Sequence, residues 1–226
     1  NQNVPMASNE VRGLLFRGFN SYAGSPADSF ANDDIDYITI SSEGNSVDFG
    51  TCVQDGFSGA GVASRTRAII CGSTYYGGSP QATRANQALE YVTISTTGNG
   101  TDFGDFSGSF GNSGACGNGV RAVIAAGEFG SGDGATLSNS NIMEYVTIAS
   151  TSNATDFGDL SVTRKLIDGV GNGTRGIFGG GAENGTRSNI IDYITIASTG
   201  DTSDFGDLTT ARQNVGTAGD GHSGIQ

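Results

Sequence analysis

One segment recurs four times along the chain: Asp36-Tyr37-Ile38-Thr39-Ile40, Glu90-Tyr91-Val92-Thr93-Ile94, Glu144-Tyr145-Val146-Thr147-Ile148 and Asp192-Tyr193-Ile194-Thr195-Ile196. The starts lie 54, 54 and 48 residues apart. Asp-Phe-Gly follows each start after twelve residues, at Asp48, Asp102, Asp156 and Asp204. A fixed period near fifty residues implies a repeat architecture, because one such unit cannot bury its apolar face alone and must stack on its neighbours. A second anchor precedes each Tyr segment: an Arg followed by apolar and small residues, at 12–18, 67–73, 121–127 and 175–181. The interval from Asp-Phe-Gly to the next Arg is 19 residues each time (48 to 67, 102 to 121, 156 to 175). The fourth unit is six residues shorter than its two predecessors, and the loss falls between the Arg and Tyr segments. A deletion confined to one stretch marks it as an exposed, variable loop.

Each unit reads as short strands. Arg175 to Gly181 is an apolar run ending in glycines, as in a strand buried on both faces and closely approached by other backbone. Ile190 to Ala197 alternates apolar and polar residues but places isoleucines on both faces, so it too reads as buried on both sides. Ser198-Thr199-Gly200-Asp201 is a turn. Thr202 to Leu208 returns through Asp-Phe-Gly, and Thr210 to Ala218 reads as a last, weaker strand. Glycine is abundant (38 residues) and interrupts every helical window, which excludes a helical fold. A β-helix would repeat at shorter intervals. The expected architecture is all-β, a β-propeller-like array of four four-stranded blades of about 54 residues. Cut at each Arg, the single repeat domain spans residues 1–226: a terminal strand over 1–11, then blades over 12–66, 67–120, 121–174 and 175–226.

Such a cut leaves a surplus. Residues 1–11 and 212–222 both align with 164–174, and Gln2-Asn3-Val4 matches Gln213-Asn214-Val215. The chain therefore holds four Arg strands and five copies of the strand before them. The extra copy can close the ring, pair with a neighbouring subunit, or belong to a longer array in which Gly224-Ile225 opens a fifth Arg strand. We expect the terminal segments to pair in a sheet.

Charged residues make up 15% of the chain, with a net charge of −12 and Lys165 as the lone lysine. An acidic surface repels phosphate backbones and anionic lipid, which argues against nucleic-acid and membrane partners. No apolar run is long enough to span a bilayer. Asn1 to Asn9 lack the basic start and apolar stretch of a signal peptide, and we read the chain as processed or as an excerpt of a longer one. Three cysteines without regular spacing define no disulfide framework. Cys71 reads as a small buried residue, whereas Cys52 and Cys116 lie in related inter-strand segments that a bridge could join.

Chemistry-bearing patterns are sparse. The sole histidine, His222, stands near the C-terminus, and no His/Cys cluster has zinc spacing. We expect no catalytic residues, no metal and no cofactor. The pairs Asp102/Asp105, Asp156/Asp159 and Asp204/Asp207 could contribute oxygen ligands to calcium, but capping of turn amides is the simpler role. Four copies exclude a kinase reading of Asp-Phe-Gly. Its aromatics, Phe49, Phe103, Phe157 and Phe205, are expected to pack between blades together with Tyr37, Tyr91, Tyr145 and Tyr193. Arg67, Arg121 and Arg175 recur at strand starts and suit pairing with neighbouring acids or carbonyls. The sequons at Asn99, Asn153, Asn172 and Asn184 are equally turn signals. Tyr22, Tyr75, Tyr76 and Phe129 occupy the variable loop, where aromatic rings on a rigid scaffold can stack on sugars or meet a protein; they are the candidate binding residues.

The order Ile177-Phe178-Gly179-Gly180, Tyr193, Phe205, Leu208 and Arg212 resembles a kelch blade, and Gly127, Tyr145, Phe157, Leu160 and Arg164 follow the same order. The first two units depart from it: Arg17-Gly18 and Cys71-Gly72 replace the glycine doublet, and no unit has the kelch tryptophan. The wording Asp-Tyr-Ile-Thr-Ile-Ala-Ser-Thr-Gly with Asp-Phe-Gly-Asp-Leu is similar to tandem repeats in structural and tail proteins of marine bacteriophages, notably those of cyanobacteria. That resemblance spans nearly the whole chain. It implies a virion or extracellular location and a non-enzymatic appendage, tail or fibre protein used for display or host attachment. The partners would be other virion proteins or a host-surface glycan, in a homo-oligomer or a larger assembly. A lectin-like propeller and a self-assembling extracellular fibre subunit are the alternatives.

Overall fold

The computed structural model describes residues 4–19, 31–77, 82–125, 127–130 and 136–217. Among them every regular element is a strand. Four repeat units follow one another. The first holds β1 (Met6–Ser8), β2 (Arg12–Phe19), β3 (Ala31–Thr39) and β4 (Val47–Gly56). The second holds β5 (Ala60–Ala63), β6 (Arg67–Cys71), β7 (Thr74–Gly77), β8 (Ala82–Thr93) and β9 (Thr101–Gly111). The third holds β10 (Gly114–Gly117), β11 (Arg121–Ala125), β12 (Glu128–Gly130), β13 (Ser138–Asn139), β14 (Ile142–Thr147) and β15 (Thr155–Asp159). The fourth holds β16 (Asp168–Gly171), β17 (Arg175–Gly179), β18 (Ala182–Glu183), β19 (Thr186–Arg187), β20 (Ile190–Thr195) and β21 (Ser203–Asp207).

Each unit is built on one antiparallel path in chain order: β1-β2-β3-β4, β5-β6-β8-β9, β10-β11-β14-β15 and β16-β17-β20-β21. Insertions sit between the Arg and Tyr strands. β7 folds back on β8, β18 and β19 form a small hairpin, and β12 crosses to pair with β9 of the preceding unit.

The division at each Arg is one strand out of place. The short strand before the Arg belongs to the path that follows it, so the four-stranded paths span 6–56, 60–111, 114–159 and 168–207. A side-chain-capped turn decides this. Asn9 Oδ1 accepts from the amides of Val11 and Arg12, and Asn118 and Asn172 do the same for Val120/Arg121 and Thr174/Arg175. Ser64 Oγ plays that part for Thr66 and Arg67. Such local turns close the hairpin of short strand and Arg strand. The N-terminal strand is therefore not surplus: β1 is the first strand of the first sheet. The expected strand over Thr210 to Ala218 is also corrected, since its described residues form no strand. They run beside β16 instead, with Asn214 N donating to Leu166 O at 3.0 Å.

The Asp-Phe-Gly segment is a β-bulge. Ile35 faces Gly50 and Asp36 faces Asp48, which leaves Phe49 unpaired; the register shifts at the same place in the other three units. A bulge re-aims one side chain. Here it turns each Phe edge-on to the Tyr of its own unit, with ring centroids 6.0–6.1 Å apart.

The cores lie between sheets. Leu14, Phe16, Ile35 and Phe49 of the first unit pack against Ala68, Ile70, Val92 and Ile94 of the second. Ile69, Leu89, Phe103 and Phe106 meet Ala122, Ile124, Val146 and Ile148 of the third. Val123, Met143, Phe157 and Leu160 meet Ile167, Phe178, Ile194 and Ile196 of the fourth. Both faces of the middle sheets are thus buried, which explains strands that lack a polar side.

Candidate functional site

The recurring polar residues build the junctions between units. Arg67 lies over the Tyr91 ring at 4.1 Å and donates to Ile148 O of the next unit at 2.9 Å. Arg121 lies over Tyr145 and reaches Ile196 O, and Arg12 lies over Tyr37 and reaches Ile94 O. Arg175 keeps the stacking on Tyr193. A guanidinium held by a ring face and fixed on a carbonyl clamps one sheet to its neighbour.

A second contact comes from the turn after each Tyr strand. Gly98 N donates to Phe49 O and Gly200 N to Phe157 O, across the unit boundary. Asn99, Asn153 and Asp201 accept through their side chains from the amides of Thr51, Asp105 and Asp159 of the preceding unit. Asn99 and Asn153 of the sequons therefore serve these turns. The approach is close enough to require glycine in the bulge. Gly158 has φ +135°, and a Cβ there would collide with Gly200.

The acid before each Tyr completes the junction. Glu90 is buried, pairs with the buried Arg17 of the first unit, and accepts from the amides of Val53 and Gln54. Glu144 accepts from Ser107 N and Oγ. Asp192 accepts from Ser161 Oγ and pairs with Arg164 Nη2 at 2.7 Å. Arg164 is fully buried, and desolvation lowers its pKa against the opposing pull of Asp192. Neither ion pair follows from the period, because Arg17 and Arg164 are not equivalent. A carboxylate fixed inside an apolar strand was the available signal.

A cavity of about 550 Å³ runs along the first strands β1, β5, β10 and β16. Backbone and small side chains line it, and Asp168 is the one carboxylate among the described lining residues. Burial raises the pKa of Asp168, opposed by hydrogen bonds from Gly169 and Thr217. The three cysteines are buried free thiols, so Cys52 and Cys116 form no bridge. Burial pushes Cys52 to about 11 and Cys71 to about 12, which keeps both as unreactive thiols.

Of the four candidate binding aromatics, the side chains of Tyr75 and Phe129 are among those described. Phe129, on β12, packs edge-on to Phe110 at 5.8 Å and lies over Gly108. Tyr75 is half-buried on β7, opposite Arg84. Tyr76 follows it in the strand, while Tyr22 and His222 lie outside the described residues. No group of three or more His, Cys, Asp or Glu side chains suited to a metal occurs among the described residues, and Asp204 Oδ1 accepts from Gly206 N, as a turn cap does.

No protein-family model matches the chain, and no curated protein matches it. Among solved structures, one described as "Structure of YjhT" shares the fold with a TM-score of 0.69 at 7% sequence identity. The match covers 94% of this chain and 67% of that one.

Proposed function

We propose that this chain is a non-enzymatic, kelch-like repeat module, a four-bladed segment of β-propeller type, that serves as a rigid display or attachment part of a bacteriophage virion appendage. The observation that supports this reading is the employment of the recurring polar residues. Arg67 and Arg121, the acids Glu90, Glu144 and Asp192, and the stacked tyrosines are engaged in holding unit to unit. Polar side chains committed to packing contacts are not free for chemistry, while the insertions between Arg and Tyr strands differ in form among the second, third and fourth units and are shorter in the fourth. Those insertions are the surface that would meet another virion protein or a host-surface glycan. The phage origin rests on the resemblance of the repeat wording. Immunogold labelling with antibody against the purified chain tests it: decoration of an appendage on cyanophage particles is the expected result. Particles that carry none of the protein would overturn the proposal.

A further inference from the structure

The two outer faces of the array are the unmatched halves of the junction described above. The second, third and fourth units each cover the bulge Phe of the unit before them: Phe49, Phe103 and Phe157 are 2% exposed, whereas Phe205 is 48% exposed. Other groups on that face share its condition. Gly206 keeps φ +138° with nothing within 4 Å of a Cβ, although Gly158 meets a neighbour's turn. Arg164 is buried on Asp192, but its counterpart Arg212 is exposed and its Nε donates to Thr210 O. At the other end, Ile38 and Ile40 are 39% and 53% exposed, although Ile94, Ile148 and Ile196 in the place of Ile40 are at most 1% exposed. Asp36 stands where Glu90, Glu144 and Asp192 are buried.

One more observation says what fits there. Asn214 N donates to Leu166 O as Leu166 N donates to Asn112 O, and Asn112, Leu166 and Asn214 share a positive φ of 49–58°. Residues 214–217 thus lie on β16 in the way β16 lies on β10, as the opening of a fifth first strand. The front face of the fourth unit has begun to accept another copy of the repeat. We infer that these two faces dock a two-unit stretch of this same repeat, its Ile-bearing back on Phe205 and its bulge Phe on Ile38 and Ile40. The size is taken from chain length: 94% of this chain matches 67% of the chain that shares its fold, and the unmatched third there equals about two units in length. A second copy of the four-unit chain exceeds that length. The contact is heterologous and closes only if the rotation per unit closes. This inference rests on exposure and register, independently of the attachment reading.

Extension of the chain tests it. Arg212 is in register with Arg164, so Gln226 is in register with Phe178. One copy of residues 179–226 followed by one of residues 179–211, appended after Gln226, adds two units. The extended protein is expected to be monomeric and to melt about 5–10 °C above the 226-residue chain. Phe205→Ser should lower the melting temperature of the extended protein by several degrees more than it lowers that of the 226-residue chain. An extension by residues 179–211 alone covers only the front face, and the same dependence on Phe205 is expected there. Equal Phe205→Ser shifts in extended and unextended chains would overturn the inference. So would a concentration-dependent dimer of the 226-residue chain that Phe205→Glu abolishes, which would make a second copy the occupant.

Discussion

The third and fourth units carry the same words, Asp156-Phe157-Gly158-Asp159-Leu160 and Asp204-Phe205-Gly206-Asp207-Leu208. Both form the bulge and both turn the Phe onto the Tyr of their own unit. Yet Phe157 and Leu160 are 2% exposed, while Phe205 is 48% exposed. Local structure is therefore set inside a unit, and burial is supplied by the next one. Stability in such an array is a sum of unit and neighbour terms, and the same residue measures different terms in different units.

Substitution at the two phenylalanines separates those terms most widely. Phe157→Ala should cost about 3–5 kcal/mol, as for a fully buried ring. Phe205→Ala should cost less, about 1–2 kcal/mol, because the ring is already 48% exposed and loses partial burial and its contact with Tyr193. Urea denaturation of both variants gives the difference, and equal costs would abolish the distinction between unit and neighbour terms. The acids allow a similar comparison at the opposite faces. Asp192→Ala leaves Arg164 buried without its partner and should cost about 3–5 kcal/mol. Asp36→Ala removes an acid whose contact is Ser46 Oγ at 3.3 Å, and should change stability by under about 0.5 kcal/mol.

The bulge glycines give a smaller and more local contrast. Alanine at φ +135° or +138° carries about 1–3 kcal/mol of backbone strain at either Gly158 or Gly206. At Gly158 the new methyl also displaces the turn at Gly200, whose amide donates to Phe157 O. Loss of that bond adds about 1 kcal/mol. The excess of Gly158→Ala over Gly206→Ala, read from paired melting curves, is the share due to the close approach of the neighbour.

The comparison also explains what could be read in the amino-acid sequence. The all-β class was legible because Arg67–Cys71 and Arg121–Ala125 are too short and too glycine-bounded for helices. The cut between units was not legible. A period has no intrinsic start, and only the Asn9, Ser64, Asn118 and Asn172 turns decide that a short strand pairs forward with its Arg strand. Arg17 and Arg164 escaped for a different reason. They arrive at equivalent acids from inequivalent positions, which periodicity cannot register.

The smallest effect lies where the fourth unit holds residues 214–217. Asp168 occupies a place that Gly114 takes in the third unit, and its carboxylate accepts from Thr217 N at 3.1 Å and Thr217 Oγ1 at 3.0 Å. Desolvation nonetheless prevails and raises its pKa above 3.8. A carboxyl with a raised folded pKa takes up its proton first in the native state. Its contribution to stability is then largest below the ordinary value and is lost as pH rises through the raised one. Asparagine cannot ionise but can still accept from Thr217. Asp168→Asn should therefore match the parent in acid and become the more stable of the two as pH rises toward neutrality. Melting temperatures of the pair across that range isolate this carboxyl from the other acids, which are common to both proteins. A difference that stays flat with pH would mean that the bonds from Thr217 cancel burial, and a parent that gains on the variant as pH rises would mean that they outweigh it and that the segment is held on β16 by a charge.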